Sequence, residues 1–150
     1  MKYVQSAKNP QVKQWKKLQT KKERENSGTY IVEGFHLVEE ALKYKGVVQE
    51  VLVKEGVDLP SSWNMDEVSV TVLSEDAAKA VSATETSQGV FAVCQQNQVE
   101  ENIELQGKTF LMLDEVQDPG NLGTIIRTAD AAGIDMIILG EGTADLYNPK

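Results

Sequence analysis

Apolar residues recur along this chain with a helical period in some stretches and a strand period in others, and each stretch predicts an element. Val12, Trp15 and Leu18 follow at a spacing of three behind Asn9-Pro10. That pattern predicts a helix with one narrow apolar stripe, Asn as its N-cap and Pro at its first position, running to Gly28 with lysines on its other faces. Tyr30-Ile31-Val32 reads as a strand broken by Gly34, and Leu37, Val38, Ala41 and Leu42 give helical periodicity from His36 to Tyr44. Val47 to Val53 and Val68 to Leu73 read as strands, with Gly56 and Pro60 in the loop between them. Ser74 suits the N-cap of a helix over Glu75 to Val81, and Val90 to Cys94 behind Gly89 is one more apolar strand. The order α-β-α-β-β-α-β over about 95 residues predicts a small layered α/β domain with its own core.

Residues 96–107 break this rhythm. Gln95 to Gln98, Glu100, Glu101, Asn102 and Glu104 make a polar stretch, expected to link a first domain over residues 1–95 to a second over residues 108–150. Thr109 to Leu113 is a strongly apolar strand, and a Gly- and Pro-containing turn follows it. A helix then runs to about Ala132 with Leu122, Ile125, Ile126, Ala129 and Ala132 on one arc, Gly133 stops it, and Met136 to Leu139 is the next strand. This β-α-β unit calls for parallel strands and a right-handed crossover. Two parallel strands and one helix cannot bury both faces of a sheet, so the second domain is expected to be truncated, continuing in the natural protein or packing on a partner.

Charge changes the picture more than composition does. With 41% hydrophobic and 25% charged residues the 150-residue chain has ordinary globular values. No apolar stretch approaches the length of a membrane span, and no secretory signal pattern follows Met1. Cys94 stands alone and His36 is the sole histidine, which leaves no disulfide framework and no Cys- or His-based metal site. These features point to a cytoplasmic protein with no membrane partner. The net charge of −8 argues against nucleic acid until its distribution is considered. Residues 1–24 hold Lys2, Lys8, Lys13, Lys16, Lys17, Lys21, Lys22 and Arg24 against Glu23 alone, a balance of +7, and the remaining residues sum to −15. Such polarity suits a molecule with one phosphate-facing end, and Lys13, Lys16, Lys17, Lys21, Lys22 and Arg24 are the residues expected to meet it. A solvated basic helix is the plainer alternative.

The turn Asp118-Pro119-Gly120-Asn121-Leu122-Gly123 lies where a parallel strand ends and a helix opens, the usual ligand edge of α/β sheets. Glycines permit close backbone approach, and unpaired N–H groups at a helix start favour anions. The turn is neither a dinucleotide fingerprint nor a Walker loop. Arg127 falls opposite the apolar arc of the helix, close to Asp130, where an i,i+3 surface pair is its plainest role.

The segment Leu113 to Gly133 taken whole, with Asp-Pro-Gly-Asn-Leu-Gly, then Arg127-Thr128-Ala129, then Gly133, resembles the first signature of the SpoU (TrmH-like) class of SPOUT RNA ribose methyltransferases. Asn9-Pro10 with Val12-Lys13, Gly28, and Tyr30-Ile31-Val32-Glu33-Gly34 resemble the substrate-binding domain of the same class. The resemblance implies an L30e-like α/β/α sandwich that holds RNA, followed by the first β-α-β unit of a knotted α/β SPOUT domain. It implies S-adenosylmethionine-dependent 2′-O-methylation of a ribose in structured RNA, rRNA favoured over tRNA, by a homodimer. Arg127 matches the arginine that acts at the ribose 2′-OH, and Asn121 the asparagine that supports it. A guanidinium has no ready acceptor and stays protonated, so orienting the hydroxyl and stabilising alkoxide charge suits Arg127 better than acting as a base. The second and third signatures of the class do not occur among these residues, so the cofactor-binding residues are expected beyond Lys150 and the 150 residues alone are expected to be inactive. A non-catalytic RNA-binding module is the alternative.

Overall fold

The computed structural model describes residues 2–97 and 105–149. Residues 98–104 of the expected linker lie outside the described residues. The chain forms two compact units, Met1–Asn97 and Gln98–Asn148.

In the first unit, β1 (Lys2–Val4), α1 (Pro10–Lys17), α2 (Lys21–Ser27), β2 (Thr29–Glu33), α3 (Phe35–Leu42), β3 (Val48–Lys54), β4 (Ser69–Leu73), α4 (Glu75–Val81) and β5 (Val90–Gln95) follow in chain order. The strands make one sheet in the order β1-β4-β3-β5-β2. β4 is parallel to β1 and β3, whereas β5 is antiparallel to β3 and β2. Alternation along β3 and β5 divides the core in two. Leu52, Phe91 and Val93 pack with Val12, Trp15 and Leu18 and with Ala77, Ala78 and Val81 of α4. Val51, Val53, Val90, Ala92 and Cys94 pack with Val38 of α3 and with Trp63. Helices on both faces make an α/β/α sandwich and explain why β5 is an uninterrupted apolar run, buried from Val90 to Cys94.

Two features depart from the sequence reading. The three-residue β1 is too short to announce itself by alternation, yet it buries Val4 and pairs with β4. The single helix expected from Asn9-Pro10 to Gly28 is two helices, broken at Leu18–Thr20. The physical reason is the placement of Leu18 and Arg24, both buried, the arginine with only 3% of its surface exposed. Six residues apart on a straight helix they would sit about 240° apart, on different faces. The corner turns both inward, and Arg24 Nη1 donates to the Leu18 carbonyl at 2.8 Å.

The second unit contains β6 (Phe110–Leu113), α5 (Pro119–Ala131) and β7 (Met136–Leu139), with β6 and β7 parallel and Phe110 opposite Met136. Leu122 and Ala129 of α5 are buried and Ile125 and Ile126 half-buried, as the arc predicts, but Ala132, expected on the same arc, is the C-cap and is exposed. Gly133, at φ +72°, ends the helix in the left-handed conformation that glycine adopts without strain. Register partners Met112 and Ile138 are 75% and 41% exposed. No described helix is long and apolar enough to cross a membrane.

Candidate functional site

The basic region of the first unit is built on α1 and α2. Asn9 caps α1 by accepting the Gln11 N–H at 2.9 Å, and Pro10 opens it. With Val12 and Trp15 turned into the core, Lys13, Lys16 and Lys17 are exposed, and Lys21 and Lys22 are exposed at the start of α2. Lys21 makes a solvent-exposed i,i+4 pair with Glu25 at 3.7 Å, which contributes little in water. The lysines therefore keep their charge available for a polyanion. Arg24 does not belong with them. Its guanidinium is buried on the Leu18 carbonyl, so the expectation that it meets phosphate is corrected. It holds the corner between the two basic helices. The spacing of Leu18 and Arg24 carried no signal for this, because an arginine in a lysine-rich run looks like one more surface cation.

The turn of the second unit is built by local rules. Asp118 is the N-cap of α5, its Oδ1 accepting the Asn121 backbone N–H at 2.7 Å, and Pro119 takes the first helical position. A Cβ on Gly120 would stand 3.1 Å from Asp118 Oδ1, so glycine leaves the cap its room. The anion-favouring helix start expected from sequence is thus altered: one of its N–H groups is satisfied and a carboxylate stands at that end. The side chain of Asn121 is exposed on the first turn. Arg127 is exposed two turns on, and its Nη2 donates to Thr124 Oγ1 at 3.2 Å. It turns toward the start of the helix, not to Asp130, and makes no ion pair among the described residues. Asn121 and Arg127 are thus both exposed on α5, six residues apart and on different faces of it.

The loops that leave β6 and β7 are tied to each other. Gly140 N–H donates to the Leu113 carbonyl at 2.7 Å and Ala144 N–H to the Val116 carbonyl at 2.8 Å. A Cβ on Gly140 would lie 2.6 Å from Asp114 Oδ1 and 3.2 Å from the Leu113 carbonyl, so a side chain here would require Asp114 to shift. These backbone groups bond across the loop pair. Two cavities, of about 510 Å³ and 670 Å³, are lined by first-unit residues, Leu42 to Gly46 with Asn64 and Asp66 to Val68 in one and Glu50 with Val68 to Thr71 in the other. Among the described residues of the second unit, α5 presents an exposed cation, Arg127, and an exposed amide, Asn121.

Sequence reasoning gave Glu33 no role of its own. Its carboxylate accepts from Ser82 Oγ and Thr84 Oγ1, both at 2.8 Å, and from the Ala83 N–H at 3.1 Å. Partial burial pushes its pKa up, but hydroxyls of Ser87, Ser82 and Thr84 and the Ala83 amide outweigh it and hold the carboxyl below its ordinary value. Glu33 thereby fastens the loop behind α4 to the end of β2. Cys94 is buried in the sheet, and desolvation pushes its thiol up to about 11, which keeps it out of nucleophilic chemistry.

Comparison with known proteins agrees with both units. Residues 9–92 match the MRM3-like substrate binding domain and residues 108–150 the SpoU rRNA Methylase family. The chain is 54% identical over its whole length to the 23S rRNA (guanosine(2553)-2′-O)-methyltransferase RlmP of Bacillus subtilis, of which it covers 59%. It is 30% identical over 136 residues to the mitochondrial rRNA methyltransferase 3 of Homo sapiens, covering 85% of this chain and 32% of that protein. Among solved structures it superposes on an rRNA methyltransferase from Sinorhizobium meliloti with a TM-score of 0.81 at 33% identity, covering 98% of this chain and 57% of that one. The Sinorhizobium protein has also been solved with AdoMet bound. The chain spans less than two thirds of the length of each of these relatives. Its two matches, in chain order, place it in the SpoU rRNA methylase family, with an MRM3-like substrate-binding domain ahead of a SpoU methylase segment.

Proposed function

We propose that the protein methylates the 2′-oxygen of a ribose in rRNA, with S-adenosylmethionine as the methyl donor. The observation that carries this reading is Arg127, a guanidinium exposed on the same helix as Asn121 and neutralised by no carboxylate among the described residues. The donor, when bound, supplies an electrophilic methyl group. What this chain brings is the acceptor side. A guanidinium offers five N–H donors in a plane and no lone pair, so Arg127 does not take the hydroxyl proton. It orients the 2′-OH and stabilises the charge that develops on the oxygen as the proton leaves. Asn121, with an amide that donates and accepts, supports the ribose from the first turn of α5.

RNA is held by Lys13, Lys16, Lys17, Lys21 and Lys22, whose phosphate contacts give affinity and orientation without reading sequence. The family likeness also supports a homodimeric, cytoplasmic enzyme as part of this proposal. The deciding experiment maps ribose methylation in total RNA from a strain lacking the gene. Loss of one 2′-O-methyl group from 23S-type rRNA, restored by the wild-type gene and not by Arg127→Ala, supports the enzyme. An unchanged methylation map leaves an RNA-binding module, for which the lysines are sufficient.

A further inference from the structure

We propose that Thr124 is a positioning residue for Arg127: it fixes the guanidinium over the first turns of α5 through a neutral hydroxyl and so leaves the positive charge available. The inference rests on the functional reading of Arg127 given above and names what sets its geometry.

Thr124 and Arg127 are three residues apart, so they share a face of α5, and a helical side chain leans back toward the N-terminus. The hydroxyl of Thr124 has one proton. It is directed to the Gly120 carbonyl at 2.9 Å, one turn earlier. The same oxygen is then an acceptor only, and Arg127 Nη2 donates to it at 3.2 Å. The relay Arg127 to Thr124 to Gly120 thus ends on the backbone of the turn that Asp118 caps. Gly123 lies beside it, where a Cβ would stand 3.5 Å from Arg127 Nη1, in ordinary van der Waals contact.

The chemistry of the partner is the reason to give this hydroxyl a role. A long arginine side chain is ordered at an entropic cost, and a carboxylate is the usual means of holding one. A carboxylate would also cancel the charge that a phosphate or an alkoxide has to meet. A threonine hydroxyl orders one arm of the planar fork and leaves four N–H donors and the full charge for the substrate. Thr128, on the same side, does not compete, because its hydroxyl donates to the Thr124 carbonyl at 2.9 Å.

The test is made in the full-length protein with its rRNA substrate, by single-turnover methylation at saturating S-adenosylmethionine over a range of RNA concentrations that reaches saturation. Thr124→Val keeps the shape and much the same helix propensity while removing the hydroxyl. It is expected to slow the chemical step by about tenfold, the scale of one lost orienting hydrogen bond. The KM for RNA should hold within about twofold, the pattern of an interaction realised in the transition state. Thr124→Ser, which restores the hydroxyl, should return the rate to near wild type. In an Arg127→Ala background Thr124→Val should cost nothing further, because the group it positions is gone. Since Thr124 is exposed, folding is expected to be intact, and far-ultraviolet circular dichroism of all variants checks it. A wild-type rate for Thr124→Val in an enzyme that Arg127→Ala disables overturns the positioning role alone. So does an equal loss in the Arg127→Ala background, or an effect confined to KM. A wild-type rate for Arg127→Ala removes the functional reading itself, and the proposal with it.

Discussion

The two units of this chain hold charge by opposite means. In the first, a sheet covered on both faces supports α1 and α2, which turn their lysines outward by burying Val12 and Trp15, and the buried Arg24 closes the corner between them on the Leu18 carbonyl. In the second, β6 and β7 leave Met112 and Ile138 exposed, yet the turn at Asp118 needs little of a core. Asp118 as cap, Pro119 at the first helical position, Gly120 beside the cap and Thr124 under Arg127 act within one stretch of chain. The proposed polyanion surface is here a property of packing, and the proposed group for chemistry is a property of local sequence. Substitutions should separate the two.

The largest effect is expected at Arg127. Removing one preorganised electrostatic group lowers rates by about 10² to 10³. Arg127→Ala in the full-length protein should therefore slow single-turnover methylation by that factor and leave RNA affinity and stability nearly unchanged. Arg127→Lys should be almost as slow, because a compact ammonium does not reproduce a planar fork. A lysine variant with wild-type rate would show that charge alone suffices, and an alanine variant with wild-type rate would return Arg127 to the solvated face of its helix.

Arg24 should give the converse result. Its substitution by leucine removes a charge-assisted hydrogen bond in the core, a loss of about 1.5–3 kcal/mol. Urea unfolding of the first unit measures it, and Lys13, Lys16 or Lys22 changed to alanine should each stay within about 0.5 kcal/mol of wild type. An Arg24→Leu protein with unchanged stability would remove the distinction between the corner and the lysines. The lysines should instead be seen in salt dependence. Each lysine–phosphate pairing that is removed lowers the slope of log affinity against log salt by roughly 0.7 to 0.9, and neutralising Lys16, Lys17, Lys21 and Lys22 together should flatten it accordingly. An unaltered slope would place the RNA surface elsewhere.

The same contrast explains what could be read in advance. α4 was legible to the residue, and β7 as well, because a Ser cap, an apolar run and a stopping glycine are local signals. The capped turn at Asp118-Pro119 was legible for the same reason. The break between α1 and α2 was not, since Val12, Trp15 and Leu18 keep helical spacing through it, and burial of a cation six residues on has no pattern in sequence. β1 was missed because three residues cannot show a period. Thr124 was hidden in another way. Spacing puts it beside Arg127, but whether the arginine would turn to a hydroxyl at i−3 or to Asp130 at i+3 depends on rotamers, and only coordinates decide that.

Glu33 provides the smallest test and the one that ties a titration to the first unit. Its hydroxyl and amide donors stabilise the charged form, so the folded-state pKa lies below the ordinary 4.5. A carboxylate depressed in this way contributes stability that is fully present above the unfolded-state pKa and is lost as pH falls through the folded-state value. Glu33→Gln removes the charge and with it that dependence. Urea midpoints of the wild type should exceed those of the variant at neutral pH, and the gap should close as the solution is acidified below 4.5. A gap that stays constant across the acid range would mean that Glu33 fastens the Ser82–Ser87 loop through shape and neutral hydrogen bonds. The loop would then belong, like the turn at Asp118, with features that local geometry holds without help from charge.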